Sequence, residues 1–408
     1  MESLLLAVPA GFVGFLQAAH EGVLGLSGWG RFAAFMAMTH LTIVSVTLYL
    51  HRCQAHRALE LHPAVSHVFR FWLWFTTGQN TKAWAAIHRK HHAKCETEED
   101  PHSPQTRGLW AVFSRGAELY RSEAKNKDTL DKFGHGTPTD WIERTIYTPH
   151  SVMGLAACLI FCWVMFGIGW GTAMWAGIMA WIPIMAAGII NGIGHFWGYR
   201  NNNSQDASTN IVPWGILIGG EELHNNHHTY ATSPKFSSRP WEFDLGWMYI
   251  TILSFFGLAK ARNLPEQTTL LAKAKPVADF ETLSALVAAR YSLMRHYASV
   301  LKDAVKHEKA ALQPMGLFSS AKKLLPKEQA TLALADQATV SNVLGASDKL
   351  AKLHAMRDEL ALLWARSSQT REQLLAQLQD WCHRAESSGV RHLQELSIHL
   401  RRVSLKTQ

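Results

Sequence analysis

A chain of 408 residues exceeds the usual size of one domain, so two or more structural regions are expected. The 40 Lys and Arg outweigh 32 Asp and Glu to give a net charge of +8, which suits anionic lipid headgroups, an acidic redox partner or the cationic cytoplasmic side of a membrane protein. The basic residues form no recognised nucleic-acid-binding motif, so nucleic acid is the least expected partner, and five cysteines without a CxxC pair argue against a disulfide framework, a zinc ribbon and a plant-type iron–sulfur cluster.

In chain order, residues 3–24 are apolar but carry His20 and Glu21; lacking a basic start and a small-residue cleavage site, they read as a retained membrane segment and not a signal peptide. Residues 31–50 are long enough to cross a hydrocarbon core of about 30 Å, with His40 as a hydrogen-bonded interfacial histidine. His51 and His56 follow. Residues 64–80 are short for a span and contain His67 and Arg70, so they read as an amphipathic helix lying in the interface. A fifth span there would also put the first and second histidine clusters on opposite sides of the membrane. The run His88-Arg-Lys-His91-His92 comes next. Residues 150–170 and 172–194 form a second pair of spans, and the linkers at 26–31 and 167–171 are hairpin turns. Asn191 and His195 close the fourth span, and His224-Asn-Asn-His227-His228 completes the set. This topology places every cluster, both termini, and Arg52, Arg57, Lys82, Arg89, Lys90 and Lys94 on one face, which the positive-inside rule makes cytoplasmic. From about residue 265 the sequence is charged and Leu-patterned: Leu353, Met356, Leu360 and Leu363, then Leu374, Leu378 and Trp381, have helical spacing, and Thr370–Gln373 reads as a capping box. The fold class is therefore an all-α integral membrane protein, with four transmembrane helices in two hairpins, interfacial helices, a cytosolic His-rich cap and a C-terminal soluble helical extension. In that extension His354 and His383 read as surface residues, and its role reads as packing or self-association.

The histidines carry the chemistry. With 22 His in 408 residues, an HxxHH run is expected about 0.06 times by chance, yet two are present. On a helix the positions i, i+3 and i+4 share a face, so the three rings of each run can converge on a metal. His51 and His56, at i and i+5, stand about 140° apart on an ideal α-helix, so they serve two different metals or sit where the span unwinds. Nine imidazoles are too many for one ion and suit two. Asn191 and His195, at i and i+4, share a face, and the Asn could hold a metal-bound water. Neither run contains a Glu, so the HExxH of a zinc hydrolase is absent. Glu221 is placed to hydrogen-bond an imidazole N–H; Glu222 reads equally as such a partner or as a surface residue.

Four stretches carry a family resemblance: HRCQAHRAL at 51–59, HRKHHAKCETEEDPH at 88–102, NGIGHFWGYR at 191–200 and GEELHNNHH at 220–228. They resemble the histidine boxes of the membrane-bound fatty acyl desaturases, and their order and spacing are closest to the Δ9 branch, stearoyl-CoA desaturase-like and of bacterial type. The resemblance covers roughly residues 25–260. It implies two iron ions in a non-haem di-iron centre held by His51, His56, His88, His91, His92, His195, His224, His227 and His228, with Asn191 contacting iron through water, and no further catalytic residue. The activity it implies is O2-dependent insertion of a cis double bond into a saturated long-chain acyl group. No cytochrome b5 HPGG or ferredoxin cysteines occur in the chain, so two electrons are expected from a separate donor: ferredoxin, cytochrome b5 or a reductase. One departure bears on the substrate. Where the animal acyl-CoA enzymes carry Arg-Asp before the second box, Ala86 and Ile87 stand here, which favours an acyl chain on phospholipid over acyl-CoA unless Lys82 or Arg89 compensates.

The resulting division is a desaturase domain over residues 1–262 and a helical cytosolic extension over 263–408, in a multi-pass protein of the bacterial cytoplasmic (inner) membrane whose site faces the cytosol. Two readings of other classes stand beside it: a membrane di-iron hydroxylase of alkyl or sterol substrates, and a non-enzymatic metal-binding scaffold whose extension recruits partners.

Overall fold

In the computed structural model, residues 19–204, 206–264, 268–326, 334–364 and 369–406 are described, together with residues 14, 266 and 332. Most of the expected span at 3–24 lies outside the described residues. The chain separates into two compact units, one of residues 1–200 and 206–264 and one of residues 201–205 and 265–408.

The first unit is organised by two long apolar helices, α1 (Gly28–Ala55) and, later, Ile168–His195, each of 28 residues and so about 42 Å long at 1.5 Å per residue, enough to cross a bilayer. Ser27 starts α1 by accepting a hydrogen bond from the Gly30 N–H at 3.1 Å. The strand β1 (Leu59–Leu61) follows, then α2 (Pro63–Thr77), α3 (Thr81–Lys94) and α4 (Leu109–Glu123). Residues 150–170 do not form one helix: α5 (Ser151–Phe166) ends at Gly167, whose φ of +84° turns the chain straight into α6 (Ile168–His195). The hairpin turn is therefore one residue and not five. Gly171 lets the two helices touch, since a Cβ there would meet the Cys162 carbonyl at 2.4 Å, and Trp175 Nε1 fastens them by donating to the Leu155 carbonyl at 3.0 Å.

The stretch before α1 lies against the α5–α6 turn. The Val23 N–H donates to the Val164 carbonyl at 2.8 Å, and the Arg31 guanidinium sits 5.4 Å from the Trp170 ring centre. From this end α1 and α6 run toward their histidine-bearing C-termini. The helix α2 is amphipathic, as expected of an interfacial element, but Arg70 points inward. It is buried and binds Asp140 at 2.7 Å and Glu143 at 3.0 Å. His40 is held by the Tyr249 hydroxyl at 2.7 Å, in line with its expected bland role.

The rest of this unit is a cap of short elements: β2 (Trp214–Gly215), α7 (His224–Thr229), β3 (Phe243–Asp244), α8 (Leu245–Phe255) and β4 (Ala259–Ala261). β1 pairs antiparallel with β4, and β2 pairs parallel with β3. Arg52, wholly buried at the end of α1, pins the cap: it donates to Asp244 Oδ1 at 2.9 Å, to the Pro234 carbonyl at 2.8 Å and to the Gly219 carbonyl at 3.0 Å.

The second unit is helical, with α9 (Phe280–Ala288), α10 (Arg290–His307), α11 (Asp348–Leu362), α12 (Arg371–Ser387) and α13 (Arg391–Arg402), closed by β5 (Thr268–Leu270) antiparallel to β6 (Val403–Leu405). Leu353, Met356, Leu360, Leu363, Leu378 and Trp381 are buried in its core and Leu374 packs against it. Thr370 and Gln373 form the capping box. His383 is exposed, but His354 is buried at 5% exposure with Nδ1 3.3 Å from Asp358: it falls one residue after Leu353, on the inward edge of α11, so the surface expectation fails there.

Candidate metal centre

The site begins with a change of helix type. Over Val46–Ala55, α1 widens so that backbone bonds close at i+5, and the His56 N–H donates to the His51 carbonyl at 3.0 Å. That winding brings i and i+5 toward one side, and the two rings lie 4.9 Å apart. The 140° separation of an ideal α-helix does not apply, and His51 and His56 belong to the same group. The second box rides on α3, which Asn80 caps by accepting from the Ala83 N–H at 2.9 Å. Arg89, inside that box, donates to the carbonyls of Gln54, Ala55, Phe133 and His135 at 2.6–2.8 Å, so one side chain ties α3 to the end of α1. The third box is α7, positioned by Asn226, which donates to Glu242 at 2.8 Å.

Nine imidazoles meet in two groups. His51, His56, His88, His92 and His227 bring ligand atoms within 4.8 Å of one another, as do His91, Cys95, His195 and His228. His224 joins the second group with Nε2 3.0 Å from His195 Nε2. The three rings of a box do not converge on one point, as the shared-face argument expected. In each HxxHH the i and i+4 rings serve one group and the i+3 ring serves the other: His88 and His92 against His91, His224 and His228 against His227. Positions i+3 and i+4 fall on either side of position i, about 100° apart, so a box set between two centres feeds both.

Four carboxylates stand behind the imidazoles. His51 Nδ1 donates to Glu221 at 2.7 Å, His91 Nδ1 to Asp100 at 3.0 Å, His195 Nδ1 to Glu96 at 3.3 Å and His228 Nδ1 to Asp206 at 3.1 Å. A carboxylate only accepts, so each of these rings carries its proton on Nδ1 and presents a lone pair at Nε2. The His91 and His195 Nε2 atoms then face each other at 3.2 Å, lone pair toward lone pair, and His228 Nε2 is buried without a hydrogen-bond partner. A cation between the rings satisfies all three, so the residues present fit a metal. Burial, then neighbouring imidazoles, pushes His56, His88, His92, His224, His227 and His228 well below the ordinary imidazole range, keeping them neutral and able to ligate. For Asp100 burial pushes upward, but the hydrogen bonds from His91 and the His102 backbone hold its carboxyl well below the usual carboxylate range.

Glu221 acts as its spacing indicates. Glu222 is neither an imidazole partner nor a surface residue: it is buried and accepts from the Ile218 and Gly220 N–H groups. Asp100 and Glu96 escape the sequence reading although the acidic run after the second box contains them, and Asp206 lies in a polar loop that carries no such signal. Asn191 follows a widened stretch at Pro183–Ile190 and precedes a 3-10 turn at Ile193–His195, so the α-helical i, i+4 relation to His195 is not realised. It lines a cavity of about 660 Å³ together with His51, His88 and His224. The remaining lining is mainly apolar, from Ile43, Val46, Ile178, Met179 and Ile182 among others, with the exposed Arg121 and Val152 also on its wall.

A fatty acid desaturase family model matches residues 27–242, more than half of the chain, and a second model, described as a transposase, matches residues 276–405. Among similar proteins, a chloroplastic "Probable lipid desaturase" of Arabidopsis thaliana is 29% identical over 251 residues, covering 60% of this chain and 67% of the relative. An sn-1 stearoyl-lipid 9-desaturase of Synechocystis is 29% identical over 240 residues, covering 57% and 71%. An icosanoyl-CoA 5-desaturase of Limnanthes douglasii is 29% identical over 237 residues, covering 55% and 62%. The chain belongs to the fatty acid desaturase family, close to its Δ9 desaturase-like members, and is an oxidoreductase that acts as an acyl desaturase.

Proposed function

We propose that this enzyme introduces a cis double bond at the Δ9 position of a saturated long-chain acyl group carried on phospholipid. We assign its di-iron centre to His51, His56, His88, His91, His92, His195, His224, His227 and His228, with Asn191 reaching iron through water. The observation that carries this reading is the meeting of nine imidazoles, from four separate stretches of chain, in two groups beside an apolar cavity. The four outer carboxylates add four negative charges, equal to the charge of two divalent ions, which supports two ions in place of one.

An unactivated methylene has no acid–base handle, so the protein's task is positioning. Glu221, Asp100, Glu96 and Asp206 hold four rings with Nε2 aimed inward, and the apolar wall excludes water and sets which carbons lie beside the histidines. When bound, reduced iron supplies with O2 the oxidant that takes two hydrogens from adjacent methylenes. One O2, two electrons and two protons are consumed and two waters released, the electrons coming from a separate donor such as ferredoxin or cytochrome b5.

The phospholipid carrier is supported by three observations. Ala86 and Ile87 are buried, so no headgroup lies against them; Arg89 is occupied by four backbone carbonyls; and two of the relatives described above are named for lipid-linked substrates. Four spans are supported by α1 and α6 and by apolar residues uncovered on the α5–α6 hairpin, such as Val152, Ile160 and Ile168; the other two crossings are assigned to residues 3–24 and to α5. The Lys and Arg beside the histidines support our assignment of the site to the cytosolic face of a bacterial inner membrane. Residues 1–262 form this domain and residues 263–408 a helical extension that serves packing or self-association.

The test is expression in a host fed labelled stearate, with double-bond localisation by lipid mass spectrometry at early times. New Δ9 unsaturation is expected first in phospholipid. Its first appearance in the acyl-CoA pool would overturn the carrier, and hydroxylated product alone would overturn desaturation.

A further inference from the structure

The second unit contains a separate cluster of metal-ligating side chains that the desaturase chemistry does not use. Asp303 and His307 stand one turn apart on α10, and His392, the second residue of α13, faces them across the seam where the two helices pack. Their ligand atoms all lie within 4.8 Å of one another.

The geometry points to a divalent transition-metal site, of the kind that takes Zn2+, with Asp303 Oδ2, His307 and His392 as its three protein ligands. Both imidazole Nε2 atoms lie 3.5 Å from the same oxygen, Asp303 Oδ2. That is too long for a charge-assisted hydrogen bond, whose range is about 2.7–2.9 Å. It matches the spacing of two ligands on a tetrahedral ion: bonds of about 2.1 Å place neighbouring ligand atoms about 3.4 Å apart. The other carboxylate oxygen, Oδ1, takes the Lys306 ammonium at 3.2 Å, so Oδ2 is left for the ion. Two further cations at the site are already neutralised, Arg391 by Glu395 at 2.8 Å and Lys349 by Glu308 at 3.1 Å. A cavity of about 340 Å³ opens onto the three ligands, with room for the water or external ligand that completes the coordination of an open site. Two imidazoles and one carboxylate favour zinc or a neighbouring transition metal over Mg2+ or Ca2+, which take all-oxygen sites. The ion clamps α13 to α10, joining residues 89 positions apart in sequence (392 − 303).

The test uses the full-length, iron-loaded protein in detergent micelles. It is exposed to ZnCl2, passed into zinc-free buffer and analysed for zinc and iron per chain. The wild type is expected to retain one equivalent more zinc than H307A and D303N, with iron equal in all three, and zinc is expected to raise the unfolding temperature of the wild type but not of either variant. His307 is 69% exposed, so H307A removes no packing, and H383A at a solvent-exposed histidine should behave as wild type. Equal zinc in wild type, H307A and D303N would overturn the site and leave an ordinary surface ion-pair cluster. Because the readout is zinc and not product, the outcome is independent of the desaturase reading.

Discussion

At the scale of single residues, two carboxylates separate metal retention from folding. Asp100 orients His91 and makes Nε2 its only lone pair, so D100N exchanges a pure acceptor for an amide that can present the wrong group. Loss of such an outer partner typically lowers metal affinity about 10–100-fold. Iron retention against a chelator is expected to fall by that order with the helix content unchanged; equal retention would mean the hydrogen bond does not hold the ligand. Asp244 is a contrasting case, since neither it nor Arg52 has any side-chain exposure. D244A would strand a buried guanidinium at a cost of about 3–5 kcal/mol, whereas a double replacement R52M/D244L removes both charges and should recover much of that loss. Denaturant unfolding of the two variants decides between them, and equal stability of both would exclude the stranded charge as the cause.

At the scale of elements, local winding decides which rings meet. The turn at Gly167 and the Thr370 cap are legible in the sequence because turn and cap chemistry is local. The widened ends of α1 and α6 are legible only in part: the i, i+5 spacing of His51 and His56 allows an unwound span, and Pro183, which lacks a backbone donor, opens the widened stretch of α6, but the form of each turn is supported by packing, of the α1 end on α3 and of the α6 end on α4. In the second unit, α10 and α13 pack with His296 and His399 at 4.3 Å between ring centres. Burial, then His296, lowers His399 from 6.5 to about 4. The unfolded chain therefore takes up the proton first as pH falls. The contribution of His399 to stability is complete above about pH 6.5, is lost progressively toward pH 4, and changes no further below that. H399L, which cannot titrate, is expected to lose less of its unfolding temperature between pH 7 and pH 4.5 than the wild type. An identical loss would show that the acid sensitivity arises elsewhere.

At the scale of the whole molecule, the cavity lies between residues of α1, α6 and the histidine groups, and on the proposed function its apolar wall would set which acyl chains fit. Met179, on α6, lines it without being part of the metal centre. M179W adds bulk to that wall and is expected to shift the product profile toward shorter acyl chains, with iron content unchanged. Gas chromatography of total fatty acids reads the shift, and an unaltered chain-length ratio would show that the substrate does not pass Met179. The two units have separate cores and separate family matches, residues 27–242 and 276–405, so a change in the helical extension should leave iron content untouched.

Much of the site is legible in the amino-acid sequence by itself. The number, spacing and clustering of the histidines point to a metal centre, because nine imidazoles at helical intervals have no common structural role. The apolar runs beside them are long enough to cross a membrane. The assignment of each ring to a group depends on three-dimensional contacts, since α-helical angles set His51 apart from His56 and turn the three rings of each box to one face, whereas the structure joins the first pair and divides each box. The outer carboxylates Asp100, Glu96 and Asp206 and the cluster at Asp303, His307 and His392 are decided by the tertiary structure alone: a hydrogen bond or a ligand set assembled from distant segments leaves no periodicity in a linear chain.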